Sequence, residues 1–235
     1  MTMTATKTGR TIPPADRAAH TSAAGWTTII GVIIMLAGTG FWAASGADID
    51  VAAESNAIGE YLTRVAANGT LLTINLGMWI IGVVVLGLGG IMLARLGDQD
   101  SPGTDVARFA FTITPAAAMV VYTMWLGIVL GLAPTYVAGA SVEGGAAALV
   151  HATSLGDWVM TIPVLSLGTA AISLAGRDSW VPRWLFRWGM LTIVTGVLAA
   201  AGLMFNARTS LVMPILPVGM GFMVAAGIVA IRRSA

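Results

Sequence analysis

Six apolar stretches, each at least twenty residues long, alternate with short connections that concentrate arginine at every second turn. That alternation limits the fold of this chain more than any motif in it. An α-helix rises about 1.5 Å per residue, so about 20 apolar residues cross a hydrocarbon layer about 30 Å thick. The stretches run from Gly25 to Ser45, Gly69 to Ala94, Phe109 to Ala133, His151 to Ala175, Leu185 to Phe205 and Ser210 to Ile231. Charged residues make up only 10% of the 235 positions, whereas a soluble domain carries about 25%. A chain so poor in charge cannot clothe a globular surface for water, so lipid must be much of its solvent. The expected fold is all-α: a polytopic integral membrane protein with six transmembrane helices in residues 25–235, preceded by a flexible cytosolic tail over residues 1–24.

The basic residues set the expected orientation. Lys7, Arg10 and Arg17 precede the first span, and Arg95 and Arg108 flank the second connection. Arg177, Arg183 and Arg187 lie at the fourth, and Arg232 and Arg233 follow the last span. Only Arg64 and Arg208 fall on the opposite side. Cytoplasmic loops are enriched in Lys and Arg, so this bias predicts that both termini are cytoplasmic. Eleven Arg against one Lys, with heavy Ala, Gly and Val usage, fits a GC-rich bacterial coding sequence and hence a bacterial cytoplasmic membrane. Ser45-Gly46-Ala47 has the small-residue look of a signal cleavage site. The apolar run before it is longer than a signal peptide's 7–15 residues, so it reads as an anchor.

Between the first two spans, Val51, Ile58, Leu62 and Val65 recur at helical spacing, with Glu60 and Arg64 paired at i,i+4. This predicts a short amphipathic helix on the outer surface or capping the bundle; an extension of the second helix is the alternative. Trp26 and Trp42 bracket the first span, where indole rings suit the headgroup level.

Asp157 is the polar residue that most needs an explanation. If its helix begins near Gly145, the carboxylate lies about 18 Å along the axis, inside hydrocarbon. If the span begins at Trp158, it lies at the outer boundary, the placement favoured by the polar, Gly-rich stretch from Glu143 to Ser154. Thr153, Asp157 and Thr161 share one helix face. Asn75, His151, Asp157 and Arg208 together form a candidate outward polar pocket. The plainer reading pairs Arg208 with Asp157 or with a lipid phosphate, since intramembrane charges commonly pair. Pro115, Pro163, Pro214 and Pro217 interrupt spans three, four and six. Gly77, Gly82, Gly87, Gly89 and Gly90, with Gly127 and Gly131, mark faces for close helix packing, within the bundle or against another subunit.

Reactive chemistry is scarce. Cys is absent, which removes disulfides and thiol catalysis. Lys7 is the only lysine, and His20 and His151 are the only histidines, at opposite ends of the expected topology. Neither a P-loop, an H-E-x-x-H pair nor a G-x-S-x-G elbow occurs. Six residues apart, His151 and Asp157 do not share a helix face, so an enzyme at the outer surface is the poorest reading. No cofactor or metal site is expected. A net charge of +1 offers nucleic acid no attracting field.

The run from Arg177 to Gly189, with Trp180, Pro182-Arg183-Trp184-Leu185 and Arg187-Trp188, follows a Gly-rich fourth span and leads into a helix containing Gly196. It resembles an uncharacterised bacterial family, a domain of unknown function, of small six- to seven-helix integral membrane proteins. That pattern tends to have Leu-Gly after the Trp, where this chain has Leu185-Phe186. The resemblance implies architecture only. Physically, Pro182 suits a helix start, and Arg183, Trp184, Arg187 and Trp188 form an interfacial anchor and candidate lipid contacts.

The first functional expectation is a non-enzymatic accessory, scaffolding or lipid-associated membrane component. Its partners would be the lipid bilayer and other membrane subunits or further copies of itself. The alternative is a small-solute or ion permease with an outward-facing polar pocket. Asp157 and Arg208 lining a water-accessible cavity that reaches the middle of the bundle would favour the permease; the same two residues solvent-exposed, or directly paired in a packed bundle, would favour the accessory.

Overall fold

The computed structural model describes residues 14–234, less the side chains of residues 14–17, Glu143 and Arg208. Lys7 and Arg10, the side chain of Arg17 and most of the expected tail thus lie outside the described residues. Helix α1 spans Pro14–Ser45, beginning well before Gly25, where the sequence places the start of the first span. Two short helices follow, α2 (Ile49–Ser55) and α3 (Ile58–Ala67), and then α4 (Gly69–Ala94). The third span is α5 (Pro102–Gly127), a π-helical turn at Ile128–Leu132 and α6 (Ala133–Val137). The fourth repeats that plan with α7 (Glu143–Pro163), a π turn at Val164–Gly168 and α8 (Thr169–Gly176). Helix α9 (Arg183–Met204), a π turn at Arg208–Val212 and α10 (Ile215–Ser234) complete the bundle.

Six of these units are long and apolar enough to cross a membrane, in the expected order. The third and fourth, Pro102–Val137 and Gly144–Gly176, are longer than expected. Pro134 and Pro163 stop neither, because π turns beside them re-register the backbone. Ala133 N–H, for example, bonds back to Ile128 O. Such local adjustments are how membrane helices absorb proline.

Successive spans run antiparallel, so the bundle has two distinct ends. One carries the 95–101 and 177–182 connections and the end of α10, where Arg233 Nη1 donates to Ser179 O at 2.9 Å. Arg95, Arg108, Arg177, Arg183, Arg187, Arg232 and Arg233 are all exposed there; this is the arginine end. The other, the capped end, carries α2, α3, α6 and the Arg208–Val212 turn.

The cap differs in detail from the single amphipathic helix expected. Asn56 takes a left-handed conformation (φ 55) and ends α2, a geometry Asn tolerates better than most residues. The break reorients α2 relative to α3. Ile58, Leu62 and Val65 are buried as expected, together with Tyr61. Val51, expected on the same face, is 49% exposed, and Ile49, Asp50, Ala52 and Ala53 turn inward instead. Asp48 caps α2 by accepting from the Asp50 and Val51 N–H groups. Thr209 donates its N–H and Oγ1–H to the two oxygens of Glu54, both at 2.8 Å, fastening α2 to the turn before α10.

Close approach of helices supplies the packing. A Cβ on Gly89 would stand 2.7 Å from Thr28 Cα and 2.8 Å from its nitrogen, so α1 and α4 touch backbone to backbone. Gly25 and Gly227 bring α1 and α10 together in the same way. Around Gly77, Gly127 and Gly131 nothing lies within 4 Å of where a Cβ atom would be, so, of the two expected uses of these glycines, packing within the bundle does not apply.

Candidate ligand cavity

Helix α2 is amphipathic in an unusual sense, since its buried face carries a carboxylate. Asp50 is only 5% exposed. The Ser154 hydroxyl donates to its Oδ1 at 2.5 Å and the Trp158 indole N–H to its Oδ2 at 3.0 Å. Both donors belong to α7, so Asp50 ties the cap to the fourth span across more than a hundred residues of chain. Buried charge is tolerated when hydrogen-bonded, and here both carboxylate oxygens have donors.

Asp157 lies on the same helix as those donors. Because α7 starts at Glu143, Asp157 is about 20 Å along the span from Gly144 at 1.5 Å per residue. Asp157 thus lies within the helix bundle, on the wall of a cavity. Its carboxyl faces Tyr122 of α5 and lies within electrostatic reach of Asp50. Its Oδ1 is buried and has no hydrogen-bond partner.

These two acids line a cavity of about 300 Å³ between α1, α2, α4, α5, α7 and α10. More than half of its remaining wall is aromatic and thioether, with Thr39, Thr161 and aliphatic side chains between. Trp42, Trp79, Tyr122, Trp125 and Trp158 contribute rings, and Met35, Met213 and Met220 contribute sulfur. Trp79 packs against Tyr122 and Trp125 with ring centroids 5.7 Å apart in both pairs. Most of the indole N–H groups are engaged: Trp79 with Met35 O at 3.1 Å and Trp125 with the Tyr61 hydroxyl at 3.0 Å. What these rings offer the cavity is π surface. Burial pushes the Tyr61 phenol above its ordinary pKa, so this link to α3 stays uncharged across the physiological range. The Trp42 Nε1 is buried without a partner. Trp42 lines the cavity from near the end of α1, while Trp26 is 54% exposed.

Of the four residues of the expected polar pocket, only Asp157 lines this cavity, and Thr161 from its helix face joins it. Asn75 is fully buried and donates from Nδ2 to Gly38 O at 3.0 Å, bridging α4 to α1. His151 is half-buried and off the cavity lining. Arg208 belongs to the π turn at the capped end, and its side chain lies outside the described residues. Thr153 is buried with its hydroxyl unpartnered. At the arginine end, Arg183 and Arg187 are exposed, Trp184 is 53% exposed, and its ring lies 6.4 Å from that of Trp188. Trp188 donates to Val218 O at 3.1 Å, and Trp180 is buried.

Asp50 is the functional residue that sequence reasoning missed. One signal was available: unlike Glu60, it has no basic residue three or four positions away. Among the described residues, no Lys, Arg or His lines the cavity, and no group of three or more histidines and carboxylates converges anywhere. No family model, curated protein or solved structure matches the chain. The resemblance at the Pro182-Arg183-Trp184 turn rests on those residues alone.

Proposed function

We propose that this chain is a small-solute permease of a bacterial cytoplasmic membrane, with both termini on the cytoplasmic side and the cavity as its solute site. The observation that carries the reading is the Asp157 carboxyl, which belongs to a helix long and apolar enough to cross a membrane, lines a cavity of about 300 Å³ and has a buried oxygen without a hydrogen-bond partner. Ionisable groups at such depth are costly, and where they persist they usually mark a solute or ion path. The volume reaches the lower limit of small-molecule pockets, about 300–1,000 Å³. The positive-inside bias, now with seven exposed arginines gathered at one end, supports the orientation.

The competing proposal is an accessory, scaffolding or lipid-associated component. Holding helices together does not require a buried carboxyl without a partner, and the desolvation of such a group detracts from stability. A transport assay separates the two readings. Proteoliposomes on a solid-supported membrane are challenged in turn with amines, amino acids, sugars and inorganic ions. The wild type is expected to give a saturable current with at least one class, and Asp157→Asn to abolish it. Silence across the panel, or an unaltered current in the variant, would return the chain to the accessory reading.

A further inference from the structure

We infer that the cavity takes a lipophilic organic ammonium carrying a single positive charge, with Asp157 as its counter-ion; this rests on the cavity being a solute site. Charge gives the first argument. Two acids, Asp50 and Asp157, line the space, which favours a cation over an anion there. The acids are not equivalent. Asp50 already receives hydrogen bonds on both oxygens from Ser154 and Trp158, whereas Asp157 lines the cavity with no donor to its buried Oδ1. A carboxyl short of donors on a cavity wall suits one positive charge.

The wall decides between an inorganic and an organic cation. A hard metal ion is held by about six or more oxygens, from protein groups and retained water, and favours a polar, hydrated site. Here the walls are mainly indole, phenol and thioether groups. Aromatic faces attract a diffuse ammonium charge without replacing a hydration shell, and the gain grows in a desolvated site. Flexible methionines adapt to irregular apolar shapes. The rim points the same way. Leu36 of α1 is 57% exposed, and Pro217 of α10 is exposed as well, yet both line the cavity. They lie nine residues before Ser45 and eight after Thr209, so each is about 12–14 Å from the capped end at 1.5 Å per residue. The opening therefore faces the hydrocarbon between the first and last spans, within reach of a molecule already dissolved in the membrane.

The test uses the purified full chain in lipid nanodiscs, with intrinsic tryptophan fluorescence as the readout. Three probes of similar bulk are titrated: benzyltriethylammonium, uncharged benzyl tert-butyl ether and toluenesulfonate anion. Saturable quenching by the ammonium is expected at concentrations at least tenfold lower than for the ether, with none by the sulfonate. Asp157→Asn is expected to weaken ammonium binding tenfold or more without altering the response to the ether, and Asp157→Glu to restore part of it. Equal affinity of the wild type for ammonium and ether overturns the assignment while leaving a solute cavity in place; that comparison needs no variant to fold. Unchanged ammonium affinity in a folded Asp157→Asn does the same. If none of the three probes binds saturably, the inference fails, and the transport panel decides the broader reading by itself.

Discussion

The two halves of the bundle bury polar groups in opposite ways. Toward the arginine end, hydroxyls close on their own helices: Thr28 donates to Ala24 O, Ser166 to Ile162 O and Ser173 to Thr169 O. Thr169 and Thr192 join α8 to α9 at 2.7 Å. Helices there approach through glycine, as at Gly89 beside Thr28 and Gly189 beside Ser173. Toward the capped end, Asn75, Thr153 and Ser154 are buried too, but the bundle also encloses two carboxyls, which no helix can satisfy from its own backbone carbonyls. One is held by side chains from a distant segment, and the other keeps an oxygen without a donor. A hydroxyl has a local remedy that costs little; a carboxylate needs something from elsewhere. Sequence choices that work against stability mark the half of the molecule under another demand.

Mutations can break or sharpen that contrast. The largest effect is expected from Gly89→Leu in the tightly packed half. Even a Cβ there meets the Thr28 backbone, so the seam must part, and a loss of about 2–3 kcal/mol is expected. Thermal unfolding in detergent reads it; a midpoint equal to that of the wild type would mean that α1 and α4 do not touch as described. Next comes Asp157→Asn, where the contrast predicts the opposite sign. Removing a charge without a full set of donors should raise the unfolding midpoint, by an amount equivalent to about 1–3 kcal/mol, while ammonium binding falls. A clear destabilisation would make Asp157 a structural residue and erase the distinction between the halves. Thr192→Val removes a hydroxyl whose partner Thr169 still bonds to Leu165 O, so about 0.5–1.5 kcal/mol should be lost. Gly127→Ala, where nothing lies within 4 Å, should change the midpoint of an isolated protomer by less than the equivalent of about 0.5 kcal/mol. A marked shift there would show that another chain covers that face.

The spans were legible in the sequence because hydrocarbon imposes one length and one polarity on every crossing helix. That is why Gly69–Ala94 matches to the residue. Ends were less legible where π turns carried α5 and α7 through Pro134 and Pro163, since proline marks a lost donor and not the compensation around it. Asp157 stood out because a carboxylate within an apolar run is conspicuous. Its neighbours did not. Asp50 lies in a polar segment where acids are ordinary, and its inward orientation depends on the left-handed corner at Asn56, which helical periodicity does not encode. Asn75 and His151 shared a topological level with Asp157, but level along a bundle leaves open which helix faces which. The aromatic wall comes from α1, α4, α5 and α7 together, so no window of the sequence contained it.

The seam between α1 and α10 at Gly25 and Gly227 has a consequence for biosynthesis. Helices α1 and α10, far apart in the sequence, form adjacent walls of one chamber. While the ribosome is still producing α9, Trp42 and Asp157 have no Met213 or Met220 opposite them, and the nascent protein faces the bilayer with an acid-lined cleft. The site is therefore completed only with α10, and the Glu54–Thr209 clasp closes only once the turn before that helix has been made.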